Sequence, residues 1–326
     1  MTHTLNSILL VGSTGKFGNL VTTELIAKRH QFKRIAVFNN TSRPTNEEKQ
    51  TALDGFKKSG IEIVSAPDYS SSKVYEGFDC VISLLGNHGL FRQPEIFEAA
   101  IQAGVRHFYP SEYGADLLVG QNWTQRYYRY KVLTREYLEA KGKELPDLEW
   151  TYFTIGRLTE WAVLDHFGVN NKEATAQIYG KKEGLQSLLA EADCARYLVE
   201  SLKDPVPDLG EPTKSTKGRQ RTYRVSGANI SWQELFRIVE KIRGLTYQVT
   251  YLDVEEASKE EADALKEEDI EKELAASHKL IQGREGTLLP QPWDNGRFPD
   301  IKPMGIEVAL GKAYSSAYYK AVYGIP

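Results

Sequence analysis

The stretch Tyr127-Tyr128-Arg129-Tyr130-Lys131 sets a phenol and an ammonium group four residues apart. The segment from Trp123 to Gly142 reads as mostly helix, which puts Tyr127 and Lys131 on one face. A lysine charge beside a phenol lowers the phenol's pKa and favours negative charge developing on a nearby oxygen. Lys131 and Tyr127 are therefore candidate catalytic residues, with Tyr127 as the proton donor. Ser111 arrives from the end of an upstream strand and is a third candidate, orienting a carbonyl oxygen. The chain holds 18 tyrosines, so ordinary mixed packing is the competing reading for Tyr127.

Such side chains need a scaffold, and the N-terminal residues supply one. Ile8-Leu9-Leu10-Val11 is four apolar residues in a row, as in a strand covered on both faces. Gly12-Ser13-Thr14-Gly15-Lys16-Phe17-Gly18 follows, and then an amphipathic helix from Leu20. Glycines here allow a tight turn, close approach of a pyrophosphate, and close helix-to-strand packing, while the helix N-terminus attracts the anion. The three-and-three glycine spacing differs from the common dinucleotide fingerprint and lacks the Lys-Ser/Thr ending of a P-loop. A second strand, Arg34 to Phe38, ends in Asn39-Asn40-Thr41-Ser42-Arg43 with no acid to hold an adenosine ribose. Asn39, Ser42 and Arg43 instead offer neutral donors and one positive charge suited to a 2'-phosphate, with Lys49 as a supplement. That favours NADPH/NADP+ over NADH.

Further strands are expected at Ile61–Val64, Asp79–Gly86 and Val105–Tyr109, with a helix from Gln93 to Ala103 stopped by Gly104. Leu84, Leu85 and Gly86 fall at the carboxyl end of the fourth strand, over the expected cofactor crevice. The predicted cofactor-binding set is thus Gly12, Ser13, Thr14, Gly15, Lys16, Phe17, Gly18, Asn39, Ser42, Arg43, Leu84, Leu85, Gly86 and Lys131, the last on the nicotinamide ribose. His107 lies inside an apolar strand and reads as structural. No cluster has metal-ligand spacing. Alternating strands and helices define an α/β, doubly wound, mostly parallel Rossmann-type sheet, with a smaller mixed α/β substrate-binding part. The expected division is 1–156 for the nucleotide domain and 157–326 for a mainly substrate-binding region, some of whose elements pack back on the first.

Lys and Arg total 41 against 44 Asp and Glu, and the basic residues are scattered, so no nucleic-acid partner is expected. No apolar run reaches membrane length. Two cysteines, Cys80 and Cys194, make a disulfide framework unlikely to be the basis of this fold and fit a reducing, cytoplasmic setting. Residues 205–218 read as a surface excursion, Ser231 with Glu234 as a helix-starting box, and Glu255–Lys279 as two solvated helices packed on one side.

The chain resembles the atypical short-chain reductases of the NmrA-like, isoflavone reductase and phenylcoumaran benzylic ether reductase group. The likeness rests on Gly12 to Gly18, on Asp79-Cys80-Val81-Ile82-Ser83, on Ala103 to Gly114, and on Lys131. It implies NADPH, a two-part fold, an aromatic substrate beside the nicotinamide, and Lys131 as principal catalytic lysine. It adds Phe153 and Gly156 as cofactor contacts. Two departures stand out: reductases of this group often lack a Tyr-x-x-x-Lys pair, and they usually carry a basic residue where Asn39 stands. The expected function is NADPH-dependent hydride transfer to a hydrophobic, aromatic enone, ketone or benzylic ether by a monomer or homodimer. The alternative is a catalytically silent NADP(H)-binding redox sensor that binds another protein.

Overall fold

The structure is a computed structural model that describes residues 2–204, 206–207 and 219–323. The chain forms two compact units, both discontinuous in sequence: Met1–Glu112 with Tyr130–Phe153 and Ala195–Tyr223, and Tyr113–Arg129 with Thr154–Cys194 and Arg224–Pro326.

The first unit is built on a seven-stranded sheet. Its order is Arg219–Arg224, Glu149–Thr154, His107–Tyr109, Cys80–Ser83, Ser7–Val11, Arg34–Asn40 and Glu62–Ala66. The pairings from Glu149–Thr154 across to Glu62–Ala66 are all parallel. Every residue of Ser7–Val11 and of Cys80–Ser83 is buried, as expected of central strands. From Ser7–Val11 the chain moves outward to Arg34 and Glu62, then returns to place Cys80–Ser83 on the other side. That reversal makes a switch point at the carboxyl ends of these two strands, where open α/β sheets take ligands. Helices Lys16–Ala27, Glu47–Lys58 and Gln93–Gln102 alternate with the strands. The core joins Leu9, Val81, Phe97, Phe108 and Trp150. His107 is structural, as the strand pattern predicts: its two ring nitrogens lie 3.2 Å from Glu149 Oε2 and 2.9 Å from Thr151 Oγ1.

The second unit carries two three-stranded sheets. One pairs Thr175–Tyr179 parallel with Gln248–Leu252 and antiparallel with Val169–Asn170. The other pairs Leu185–Leu189 antiparallel with Ala228–Ser231 and parallel with Arg157–Leu158. Ser231 and Glu234 form the expected capping box on helix Trp232–Arg243, which ends at Gly244 in the left-handed conformation. The charged segment is the expected helix pair, Val254–Lys266 and Ile270–Gly283. Val163, Ile178, Leu188, Leu235 and Leu310 share a core. Of the expected 205–218 excursion, only Val206–Pro207 is described, pairing antiparallel with Thr2–His3; the rest lies outside the described residues.

The segment 123–142 is mostly helix, as expected, but Tyr127 and Lys131 do not share one α-helix. Two 3-10 turns, Asn122–Thr124 and Arg126–Tyr128, precede an α-helix that begins only at Arg129 and runs to Glu144. Gln125 breaks the path with extended backbone, φ −72° and ψ 127°. Its side chain is held by Glu261 and Ser277, and the Tyr127 N–H donates to Ser277 Oγ at 3.1 Å rather than to a helical carbonyl. Long-range bonds outweigh local propensity here, and Tyr127 does not belong to the helix that carries Lys131.

A buried acid in the second unit has a measurable consequence. Glu160, 3% exposed, accepts the Glu191 N–H at 3.0 Å. Burial, reinforced by the neighbouring Glu191 charge, pushes its carboxyl from 4.5 up to about 8. The folded protein then keeps a proton that the unfolded chain releases, so stability contributed by Glu160 falls as pH rises from about 4.5 to about 8. Urea unfolding across that range is expected to show this decline in the wild type, and Glu160→Gln is expected to flatten it.

Candidate active site

The glycine loop is shaped by two close approaches. Gly12 has φ +94°, and a Cβ there would lie 2.8 Å from the Leu84 carbonyl oxygen. A Cβ on Gly18 would lie 2.1 Å from the Gly12 carbonyl oxygen. Only hydrogen fits at either place, so helix Lys16–Ala27 starts directly against the strand ends. Its N-cap, Gly15, makes no side-chain cap bond, and a helix start of this kind attracts an anion. These elements wall a cavity of about 510 Å³ lined by Gly12, Thr14, Gly15, Phe38, Asn40, Arg43, Lys49, Tyr69, Leu84, Leu85 and Gly86, among others. The glycine turn, the fourth-strand end and Arg43, read separately along the sequence, thus meet around one space.

Other predicted contacts are placed differently. Phe38 and Asn40 line the cavity, two apart on one face of their strand. Asn39 lies between them on the opposite face, its amide 3.4 Å from Ser65 Oγ. The two-residue period of the strand therefore gives Asn40 the position expected of Asn39. Ser42 Oγ bonds Asn40 Oδ1 at 2.8 Å and the Pro67 carbonyl at 2.5 Å, which braces the loop. Lys49, on helix Glu47–Lys58, donates to the Asn40 carbonyl at 3.0 Å. Burial, with the nearby Arg43 charge, holds its ammonium below the ordinary lysine range. Ser13 is buried beneath the loop, while Lys16 is exposed and Phe17 half-buried at the helix start; none of the three lines the cavity.

Hydrogen bonds run from this cavity to Lys131 within the first unit. Ser111 Oγ donates to the carbonyl of cavity-lining Leu85 at 2.8 Å, and the Ser111 N–H donates to Gln93 Oε1 at 2.7 Å. The Ser111 proton is thus engaged in bracing the strand end. The next residue, Glu112, accepts Lys131 Nζ on its backbone carbonyl at 3.1 Å. The Glu112 carboxylate is fully buried and takes a bidentate pair from Arg135, 3.0 and 2.9 Å. Arg135 also lies 4.1 Å over the Tyr152 ring. Lys131 is 8% exposed, and burial holds its ammonium below the ordinary lysine range; Glu112 opposes that shift and Arg135 adds to it. The sequence reading missed Glu112 and Arg135. Their signal was Arg135 following Lys131 by one helical turn.

Tyr127 and Gly156 belong to the second unit, and Phe153 to the first. The half-buried Tyr127 ring packs 4.5 Å from His278 and edge-on to Tyr128. Phe153 is fully buried, with its ring 6.0 Å from Tyr223. Gly156 takes φ +77°, where a Cβ would lie 2.4 Å from the Ser187 carbonyl oxygen. It forces the turn that sends Arg157 inward.

A Rossmann-type sheet, a glycine-walled cavity and a buried lysine beside it define the class of α/β fold. Comparison with known proteins is specific about the family: the NmrA-like family profile matches residues 4–283, and the chain belongs to that family. It is 27% identical over 254 residues to oxidoreductase aprR of Aspergillus flavus, covering 76% of this chain and 78% of that protein. It is also 27% identical over 262 residues to phenylcoumaran benzylic ether reductase IRL1 of Ginkgo biloba, covering 77% and 80%. The leucoanthocyanidin reductase–NADPH binary complex from Vitis vinifera has the same fold, with TM-score 0.74 at 18% identity, over 94% of this chain and 99% of that one.

Breaking the carboxylate that holds Arg135 should be costly. Glu112→Gln leaves a buried guanidinium without its counter-charge and is expected to lose about 3–5 kcal/mol of stability, read from urea unfolding. A loss within 0.5 kcal/mol, the size of an ordinary surface change, would show that the pair is not a structural anchor.

Proposed function

We propose that the protein is an NADPH-dependent reductase that transfers hydride to a hydrophobic, aromatic metabolite, an enone, ketone or benzylic ether. The observation that carries this reading is the buried Lys131 ammonium, fixed by the Glu112 carbonyl and joined through Ser111 to the Leu85 edge of the cavity. The family relationship and the reductase names of the relatives support it.

The cavity fits a phosphorylated dinucleotide by its own chemistry. Gly12, Thr14 and Gly15 with the uncapped helix start suit a pyrophosphate. Arg43 and Lys49 bring two cations to the cavity against the one carboxylate of Glu48, and Asn40 stands in place of an acid at the end of the second strand. Leu84, Leu85 and Gly86 suit the nicotinamide end. When bound, the cofactor supplies the hydride. Lys131 then holds positive charge where an oxygen of the substrate becomes anionic, and its restricted solvation strengthens that field. Ser111 acts by positioning, since its own proton braces Leu85. Tyr127, carried by a turn of the second unit and not by the Lys131 helix, stays the candidate proton donor in carbonyl reduction.

Lys131→Ala is expected to lower turnover of NADPH with responsive aromatic substrates at least about 100-fold while circular dichroism stays native. Near-normal kinetics would remove Lys131 from the mechanism. Cofactor binding without turnover across a panel of aromatic enones, ketones and benzylic ethers would favour the redox-sensor alternative. For the 2'-phosphate, the double change Arg43→Ala with Lys49→Ala should weaken NADPH binding by about 10–100-fold and leave NADH nearly unchanged. Equal losses for both cofactors would reject that assignment.

A further inference from the structure

The second unit buries a positive charge in an unusual way. Arg157 is 4% exposed, yet among the described residues no carboxylate pairs with it. Its Nε is buried with no hydrogen-bond partner. With the Gln282 carboxamide turned to present oxygen, that oxygen accepts from both terminal nitrogens at 3.1 Å. The guanidinium also lies 4.9 Å from the Phe167 ring centroid and 5.6 Å from that of Trp232. Neutral contacts of this kind hold the group in place without offsetting its charge. Burial lowers its pKa to about 10, so it remains a cation at neutral pH.

Aromatic rings surround the guanidinium. Tyr127 and Tyr128 lie close enough for their phenols to act on the Arg157 charge. The His278 ring sits 4.5 Å from Tyr127 and 4.4 Å from Phe167, and 5.6 Å from His166. Burial holds His166 below its ordinary value, with the Glu271 charge opposing and the Arg157 and Lys279 charges contributing. The nearby acid Glu273 is already engaged by Arg126 and Arg129, at 2.8 and 3.0 Å. Tyr127 and His166 are the half-exposed members of the group, and Arg157, Phe167 and His278 lie behind them. Gly156, which admits no side chain, and the pairing of Arg157–Leu158 with Leu188–Leu189 fix the arginine's direction.

We infer that Arg157 is an anion receptor in an aromatic-walled site of the second unit, and that it takes the carboxylate of an aromatic acid. A carboxylate would supply the counter-charge that the chain withholds and an acceptor for the orphaned Nε. The rings around it suit the flat body of such a ligand. The assignment is of a binding site within the second unit by itself and stands apart from the proposed reductase activity.

Binding is the test, with the whole chain and without turnover. Tryptophan fluorescence titration with 4-hydroxycinnamate and with its methyl ester separates charge recognition from stacking. The wild type should bind the acid at least about tenfold more tightly than the ester. Arg157→Gln should abolish that preference, and Arg157→Lys should keep part of it. Gln282→Glu should also abolish it, because an internal carboxylate then occupies the guanidinium; this variant gains an ion pair and guards against loss of folding in Arg157→Gln. Equal binding of acid and ester by the wild type, or an acid preference that survives in Gln282→Glu, would overturn the site and leave Arg157 as a packing residue. A wild type that prefers the acid but takes up no NADPH would instead defeat the reductase reading and spare this one.

Discussion

Positive charge taken out of water governs both units. An ammonium or guanidinium group in a protein interior forfeits hydration that neighbouring dipoles only partly replace. The first unit buries Lys131 and Arg135 around a single carboxylate, Glu112, and spends both oxygens of that carboxylate on Arg135. Lys131 donates to the backbone carbonyl of Glu112 at 3.1 Å. The arginine pair locks the loop that follows the fifth strand, and the lysine inherits its position from that lock. Burial and the adjacent guanidinium both disfavour the charged form of this ammonium, and the Glu112 charge opposes them.

The glycine loop solves a related problem by subtraction. Gly12 and Gly18 let the first helix begin against the strand ends, where any side chain would overlap backbone oxygen. The result is a helix start without a side-chain cap at the switch point of a parallel sheet. Rigid strands set that geometry, and the loops after the second and fourth strands close the cavity around it. Asn40 and Ser42 show how polar side chains serve here as braces: one hydroxyl ties the loop to Pro67, and one amide receives it. Function of this kind resides less in any single reactive group than in the stiffness of what carries it.

Much of this was legible from residue order. Ile8–Val11 announced itself as a covered strand by being apolar throughout, and Ser231 with Glu234 announced a helix start by chemistry confined to four residues. The paired helices from Val254 to Gly283 followed from apolar residues recurring at helical spacing in a charged background. Where the reading slipped, distance along the chain was the cause. Asn39 and Asn40 are indistinguishable by type, and only the register of their strand against Glu62–Ala66 decides which one turns toward the cavity.

The sequence alone therefore determined the Rossmann-type order of strands and helices, the glycine turn and the prominence of Lys131, because each is encoded by near neighbours and by steric rules local to the backbone. Tertiary structure decided what those neighbours could not. Ser277, 150 residues away, captures the Tyr127 amide and ends the helix that local propensity would have extended. Glu112 meets Arg135, and Arg157 meets Gln282 in place of an acid, only when separate segments are folded together. Charge compensation is a property of three-dimensional neighbourhoods, so which buried cation is neutralised and which is left wanting an anion is settled in space and not in order along the chain.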